Sequence, residues 1–122
     1  MLPHMLDTKR AAEDYCYVTT TGRVTSREHT IEIWFAAQGS TIFILAGGGH
    51  SSDWVKNVKS RPNVRVHIGD ATFPGRARIV DDSAEDALAR HLVLAKYAPT
   101  NGDLDEWGRS SLPIAVDLRR PR

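Results

Sequence analysis

Cysteine is almost missing from this chain: Cys16 stands alone among 122 residues. A single thiol closes no internal disulfide and has no partner for a structural zinc site, so the fold must rest on packing, as suits a reducing compartment. Cys16 itself reads as a small buried hydrophobe. Net charge is nearly missing too. Lys and Arg number 16 and Asp and Glu 15, a balance of +1 that gives no general pull towards nucleic acid or a membrane surface. Any anion binding must be local. No apolar run approaches the roughly 20 residues that cross a bilayer. Met1-Leu2-Pro3-His4-Met5 lacks the pattern of a secretion leader, and the default expectation is a cytoplasmic protein without stable membrane insertion. Internal repeats and low-complexity tracts are absent, and His4, His29, His50, His67 and His91 show no metal-ligand spacing.

What is present fits one β-rich domain over residues 1–122, with residues 1–13 as a short amphipathic helix or a frayed end. Tyr15–Thr21 is dense in aromatic and β-branched residues and stops at Gly22, as a strand does. Thr30–Ala36 alternates, with Ile31, Ile33 and Phe35 on one face and Thr30, Glu32 and Trp34 on the other. Gln38-Gly39-Ser40 then turns into Thr41–Ala46, an apolar run that must be covered on both faces.

Trp54–Lys59 reads as a short helix capped by Ser51 or Ser52. Gly69-Asp70 joins Val64–Ile68 to Ala71–Phe73 as a two-residue hairpin, and Pro74-Gly75 marks a bend or bulge before Arg76–Val80. A helix capped by Ser83 would show an apolar face of Ala84, Ala87, Leu88, His91, Leu92 and Ala95. Pro99 to Gly108 reads as a loop, and Pro113–Leu118 as the last strand. These elements predict a mainly β, α+β fold: a six-stranded antiparallel barrel with two or three short helices.

Two loops offer chemistry. Gly22 to Arg27 mixes backbone N–H groups, the hydroxyls of Thr25 and Ser26, and the guanidinium forks of Arg23 and Arg27, a donor set suited to phosphate or carboxylate oxygens. The alternative, a polar hairpin loop with solvated arginines, stays open on composition alone. Gly47-Gly48-Gly49 lets something flat approach the backbone, although it matches neither a dinucleotide fingerprint nor a P-loop. His50, Ser51 and Asp53 are too close in one loop for a nucleophilic relay. Trp34, Trp54 and Trp107 are either core or ring-stacking residues, with Trp54 best placed to pack on a cofactor. Arg76 and Arg78 read as an exposed basic edge.

Three segments in order carry a resemblance. Thr19-Thr20-Thr21-Gly22-Arg23, then Gly48-Gly49 leading into Trp54–Val64, then Arg76-Ala77-Arg78 and the ending Trp107–Ile114, are similar to the deazaflavin-dependent nitroreductase family of split β-barrels. The resemblance runs from about Tyr17 to Leu118. It implies an FMN-binding, pyridoxamine-phosphate-oxidase-like split barrel that holds the deazaflavin coenzyme F-420 or, alternatively, FMN.

It implies hydride transfer to a small lipophilic acceptor: a quinone, a nitro compound or an activated double bond. No catalytic side chain and no metal is expected, because the cofactor carries the chemistry. Arg23, Val24, Thr25 and Ser26, flanked by Thr21, Gly22 and Arg27, match the cofactor-tail loop. Ala46, Gly47, Gly48 and Gly49, with His50 and Ser51, match the backbone beside the ring, and Trp54 and Asn57 match the helix closing the pocket. Val24 stands where the family often has lysine, His50-Ser51-Ser52 replaces lysine and proline, and Thr100–Glu106 holds no tyrosine where relatives are tyrosine-rich. A binding protein for flavin, tetrapyrrole or fatty acid on the same barrel is therefore the rival reading, and the resemblance allows a homodimer.

Overall fold

The computed structural model describes residues 6–120. Its strands are β1 (Cys16–Thr21), β2 (Glu28–Ile33), β3 (Ala36–Gln38), β4 (Thr41–Ala46), β5 (Asn63–Ile68), β6 (Ala71–Ile79) and β7 (Leu112–Leu118). Its helices are α1 (Thr8–Ala11), α2 (Asp53–Ser60), α3 (Ser83–Asn101) and α4 (Asp105–Ser110). The strands form one antiparallel sheet in the order β2-β1-β5-β6-β7-β4-β3.

There are seven strands, not the six expected, because Thr30–Ala36 is two strands. Cys16↔Ile33 is the last pair with β1 and Ala36↔Phe43 the first with β4, so the chain changes partner at Trp34-Phe35. Side-chain alternation continues through this handover, which hides it from the sequence. The handover also closes the fold. β2 and β3 lie at opposite edges of the sheet, yet the chain from Ile33 to Ala36 reaches only about 10 Å. The sheet must curl until its edges meet.

Two apolar clusters follow. Inside the curl lie Val18, Phe35, Ile42, Ile44, Val66 and Ile114 with Val55 and Val58 of α2. Outside it, Phe43, Leu45 and Ala115 pack against Ala89, Val93 and Tyr97 of α3. β4 is thus buried on both faces, as its sequence requires. Cys16 is fully buried.

The buried stripe of α3 differs from expectation: Ala84, Ala87, His91 and Ala95 are exposed, whereas Ala89, Val93 and Tyr97 face the sheet with Leu88 and Leu92 beside them. Alanines on both sides blur the periodicity. Arg90 and Lys96 also turn inward, because each finds backbone carbonyls there. Asp82, not Ser83, caps the helix, accepting from Glu85 N at 2.9 Å.

The segment from Pro99 to Gly108 is largely helical rather than a loop. Pro99 sits in the last turn of α3, where Asn101 Nδ2 donates to the Tyr97 carbonyl at 2.8 Å, and Gly102, at φ +78°, ends the helix. Both two-residue hairpins are present, with Gly39 and Gly69 at φ +61°. Pro74-Gly75 makes no bulge, since register runs unbroken from Ile68↔Ala71 to Asn63↔Arg76. Ser52 is the N-cap residue of α2, without a side-chain bond. Of residues 1–13, those before Leu6 lie outside the described residues; Thr8–Ala11 makes one turn capped by Asp7. Among the described residues no helix is long and apolar enough to cross a membrane.

Candidate functional site

The curl leaves a gap. β3 pairs only with Thr41–Phe43, so Ile44–Ala46 have no strand on that side, and the outer edge of β2 has none either. Two cavities share β2. One, of about 530 Å³, is lined by His29, Thr30 and Ile31 together with Gly22–Thr25 and the Asp53, Trp54 and Asn57 side of α2. The other, of about 370 Å³, takes Glu32 and Ile33 of β2 with Tyr15, Trp34, Gly47 and Trp107. Both volumes suit small-molecule sites.

In the first cavity the loop after β1 closes on itself. Gly22 N donates to Arg27 O at 2.7 Å, Ser26 N to Gly22 O at 2.9 Å, and Arg27 N to Thr25 Oγ1 at 3.2 Å. A Cβ on Gly22 would stand 3.0 Å from Thr25 Oγ1 and 3.1 Å from both Arg27 O and His29 Nε2, so only glycine leaves the loop this tight. Ser26 takes φ +61°, a conformation non-glycine residues seldom adopt. The Val24 and Thr25 N–H groups find no acceptor among the described residues, and Val24 is exposed.

Asn57, buried on α2, organises Arg23. Its Oδ1 accepts from Arg23 Nη1 at 2.8 Å and Arg23 N at 3.2 Å, while its Nδ2 donates to Thr20 Oγ1 at 3.4 Å. Arg23 Nη2 reaches Asp53 Oδ1 at 3.5 Å, but Asp53 is largely solvated, which weakens that pair. Arg23 is therefore a held cation whose Nε has no partner among the described residues. A guanidinium, two backbone N–H groups and the Thr25 hydroxyl form a donor set that fits an anionic tail, whereas the Thr30 hydroxyl is bonded to Thr19 Oγ1 at 2.7 Å on the other face of the sheet.

The expected ring-side segment divides. Ala46 is buried, and Gly47 reaches the second cavity, where a Cβ would lie 3.2 Å from Trp107 Nε1. Gly48 is held close to Ser52, whose Oγ would be 2.2 Å from an added Cβ, and Gly49 takes φ +58°. Ser51 Oγ donates to Gly48 O, and His50 Nδ1 meets Lys59 Nζ, so neither joins a nucleophilic relay. Gly48–Ser51, Ser26, Arg27 and Thr21 line neither cavity.

Sequence reasoning missed Asp53, His29, Thr30 and Ile31 on the first cavity and Tyr15, Glu32, Ile33 and Leu45 on the second. Strand alternation put Thr30 and Glu32 on one face with Trp34; both are exposed, and Glu32 stands with Trp34 on the second cavity. Trp34, read as core or ring-stacking, stacks on Tyr97 at 4.3 Å and 4°, with Trp107 edge-on at 5.7 Å and 82°. Arg78 is not a free basic edge: it pairs with Glu85 and with Asp117 at 2.8 Å, holding both carboxyls below their ordinary range.

A curled antiparallel sheet with this gap is the split-barrel class, and solved structures agree. The fold superimposes on an "F420-H2 Dependent Reductase (FDR-A)" with a TM-score of 0.70, at 22% identity, covering 97% of this chain and 100% of that one. It also matches the conserved protein Rv2991 of Mycobacterium tuberculosis (TM-score 0.72, 17% identity, 98% and 85% covered). HutZ, the heme storage protein of Vibrio cholerae, matches at 0.68, with 17% identity and 92% and 86% covered.

Sequence then specifies the family. Residues 8–119 match the F420H(2)-dependent quinone reductase family, and the chain belongs to it. It is 30% identical over 100 residues to the F420H(2)-dependent quinone reductase Rv1261c of Mycobacterium tuberculosis, covering 80% of this chain. The chain spans 66% of that relative's length.

Proposed function

We propose that this chain is a deazaflavin-dependent reductase that passes two electrons to a small lipophilic acceptor such as a quinone. The observation that carries the reading is Arg23, fixed by Asn57 at the wall of a 530 Å³ cavity beside free Val24 and Thr25 N–H groups. Arg23 and Thr25 bind the anionic tail of coenzyme F-420. Trp54 walls the tail cavity, and Gly47 gives a flat ring access to the gap. When bound, the reduced deazaflavin supplies hydride. The chain's own residues hold, orient and exclude water, and none is assigned proton transfer. FMN, with a shorter anionic tail, satisfies the same donor set.

Titration with F-420, followed by its fluorescence, tests this. Saturable binding is expected, and Arg23→Ala should weaken it by about 1–3 kcal/mol. Absence of saturable binding at micromolar cofactor overturns the reading. One observation favours a carrier role instead: Asp53 places a carboxylate 3.5 Å from Arg23 and reduces the pull on a polyanion. A flavin, tetrapyrrole or fatty acid held without turnover would suit that balance, and quinone reduction by cofactor-loaded protein rejects it. A homodimer belongs to the same proposal. The outer face of β1 and β5, carrying Tyr17, Thr19, Arg65 and His67, supports it because no helix covers it. A monodisperse monomer in light scattering would refute it. The buried, unpaired Cys16 is consistent with a cytoplasmic setting.

A further inference from the structure

We propose that Glu32 makes the aromatic cleft charge-selective, so that it admits uncharged or cationic planar rings and turns away anionic ones. Trp34, Trp107, Tyr15, Ile33 and Leu45 give the cleft flat, apolar walls. These walls are preset. Trp34 is pinned face-on to Tyr97 and Trp107 stands edge-on against it, so little order must be created when a ring enters.

Glu32 is the single carboxylate on the lining, and no lysine or arginine shares it. Its position is fixed, because Tyr17, its cross-strand partner, donates its hydroxyl to Oε2 at 2.9 Å. No cation neutralises it: among the described residues it has no salt bridge. Lys96, on the helix behind Trp34, is committed elsewhere, donating to the carbonyls of Ala11, Glu13 and Phe35. An anion entering the cleft would therefore meet a carboxylate and the electron-rich faces of aromatic rings, with no lysine or arginine on the lining to offset either. A cation meets the same groups with the opposite sign, and a neutral ring loses nothing.

Calling the occupant a redox-active ring, of the cofactor or of its acceptor, rests on the reductase reading, whereas the charge preference is read without cofactor. The two can therefore fail separately. The test uses three bicyclic probes of similar shape, 2-naphthamide, N-methylquinolinium and 2-naphthoate, with calorimetric titration of the full chain. The amide and the cation are expected to bind at least about tenfold more tightly than the carboxylate, with the gap shrinking below about threefold in Glu32→Gln. Trp107→Leu should weaken all three, which places the probes in this cleft. Equal affinities in the wild type, an unchanged gap in Glu32→Gln, or no saturable binding of any probe would each overturn the proposal.

Discussion

The ammonium of Lys96 stands 3.8 Å above the centre of the Phe35 ring and donates to the Phe35 carbonyl at 2.9 Å. Phe35 lies in the handover where the chain leaves one edge of the sheet and joins the other. The same ammonium donates to Ala11 O at 3.1 Å and Glu13 O at 2.7 Å, and Tyr97 Oη reaches Asp14 O at 2.7 Å. α3 thus fastens the segment before β1 to the handover that closes the curl. Replacing Lys96 with Met keeps the stem and leaves these carbonyls without their donor, at an expected cost of about 1–3 kcal/mol in urea unfolding. Faster amide exchange around Ala11–Asp14 should accompany it. Unchanged stability would show that the clasp contributes nothing net.

Alkali should unfold the protein through two buried acids. Burial pushes the Cys16 thiol from 9.0 up to about 12 and the Tyr97 phenol from 10.0 up to about 12. The folded chain keeps these protons after the unfolded chain has released them. The stability they contribute is therefore complete below about pH 9 and is lost as pH rises from 9 towards 12. Lys96, lowered by burial, contributes in the opposite direction, so comparison with Cys16→Ala isolates the thiol. Unfolding free energy measured from pH 8 to 11 should decline less steeply in that variant. Equal slopes would contradict the assignment.

Asn57 is expected to act on the cofactor through Arg23. Asn57→Leu removes the acceptor of two Arg23 donors, so the guanidinium loses its fixed orientation. Affinity for F-420 should fall about tenfold, and adding Arg23→Ala should cost much less than it does alone, as coupled residues behave. Additive losses in the double variant would mean that the two residues act independently.

Gly75 is a packing glycine. A Cβ there would meet Val116 Cγ1 at 2.8 Å and the Asp117 carbonyl at 3.2 Å, where β6 passes from its pairing with β5 to its pairing with β7. Gly75→Ala should destabilise by about 1–3 kcal/mol, seen as a lower melting temperature. An unchanged melting temperature would show that the β6–β7 contact yields at no cost.

The readable parts of the chain were those where a local rule has one outcome. Gly39 and Gly69 sit in two-residue turns because few residues accept their conformation, and Thr41–Ala46 is too apolar for any place but the centre. The three family segments carried the family itself. The readings that failed lay where local signals are silent. Continuous alternation hid the break at Trp34-Phe35, Pro99 looked like an end although α3 runs two residues past it to Asn101, and alanines left the buried side of α3 undefined. Of the expected site, Gly22–Thr25, Trp54 and Asn57 meet on one cavity, whereas Gly47 belongs to a second that no motif announces.

By itself the sequence determined the turns, the central strand, the buried thiol and the donor-rich loop, since each follows from a residue's own conformational or chemical limits. The tertiary structure decided how the sheet closes, which face of α3 is inward, and that Glu32, Trp34, Gly47 and Trp107 share one cleft. Those relations join residues as many as 75 positions apart in the chain. They depend on which strand edges meet, and no local pattern encodes that.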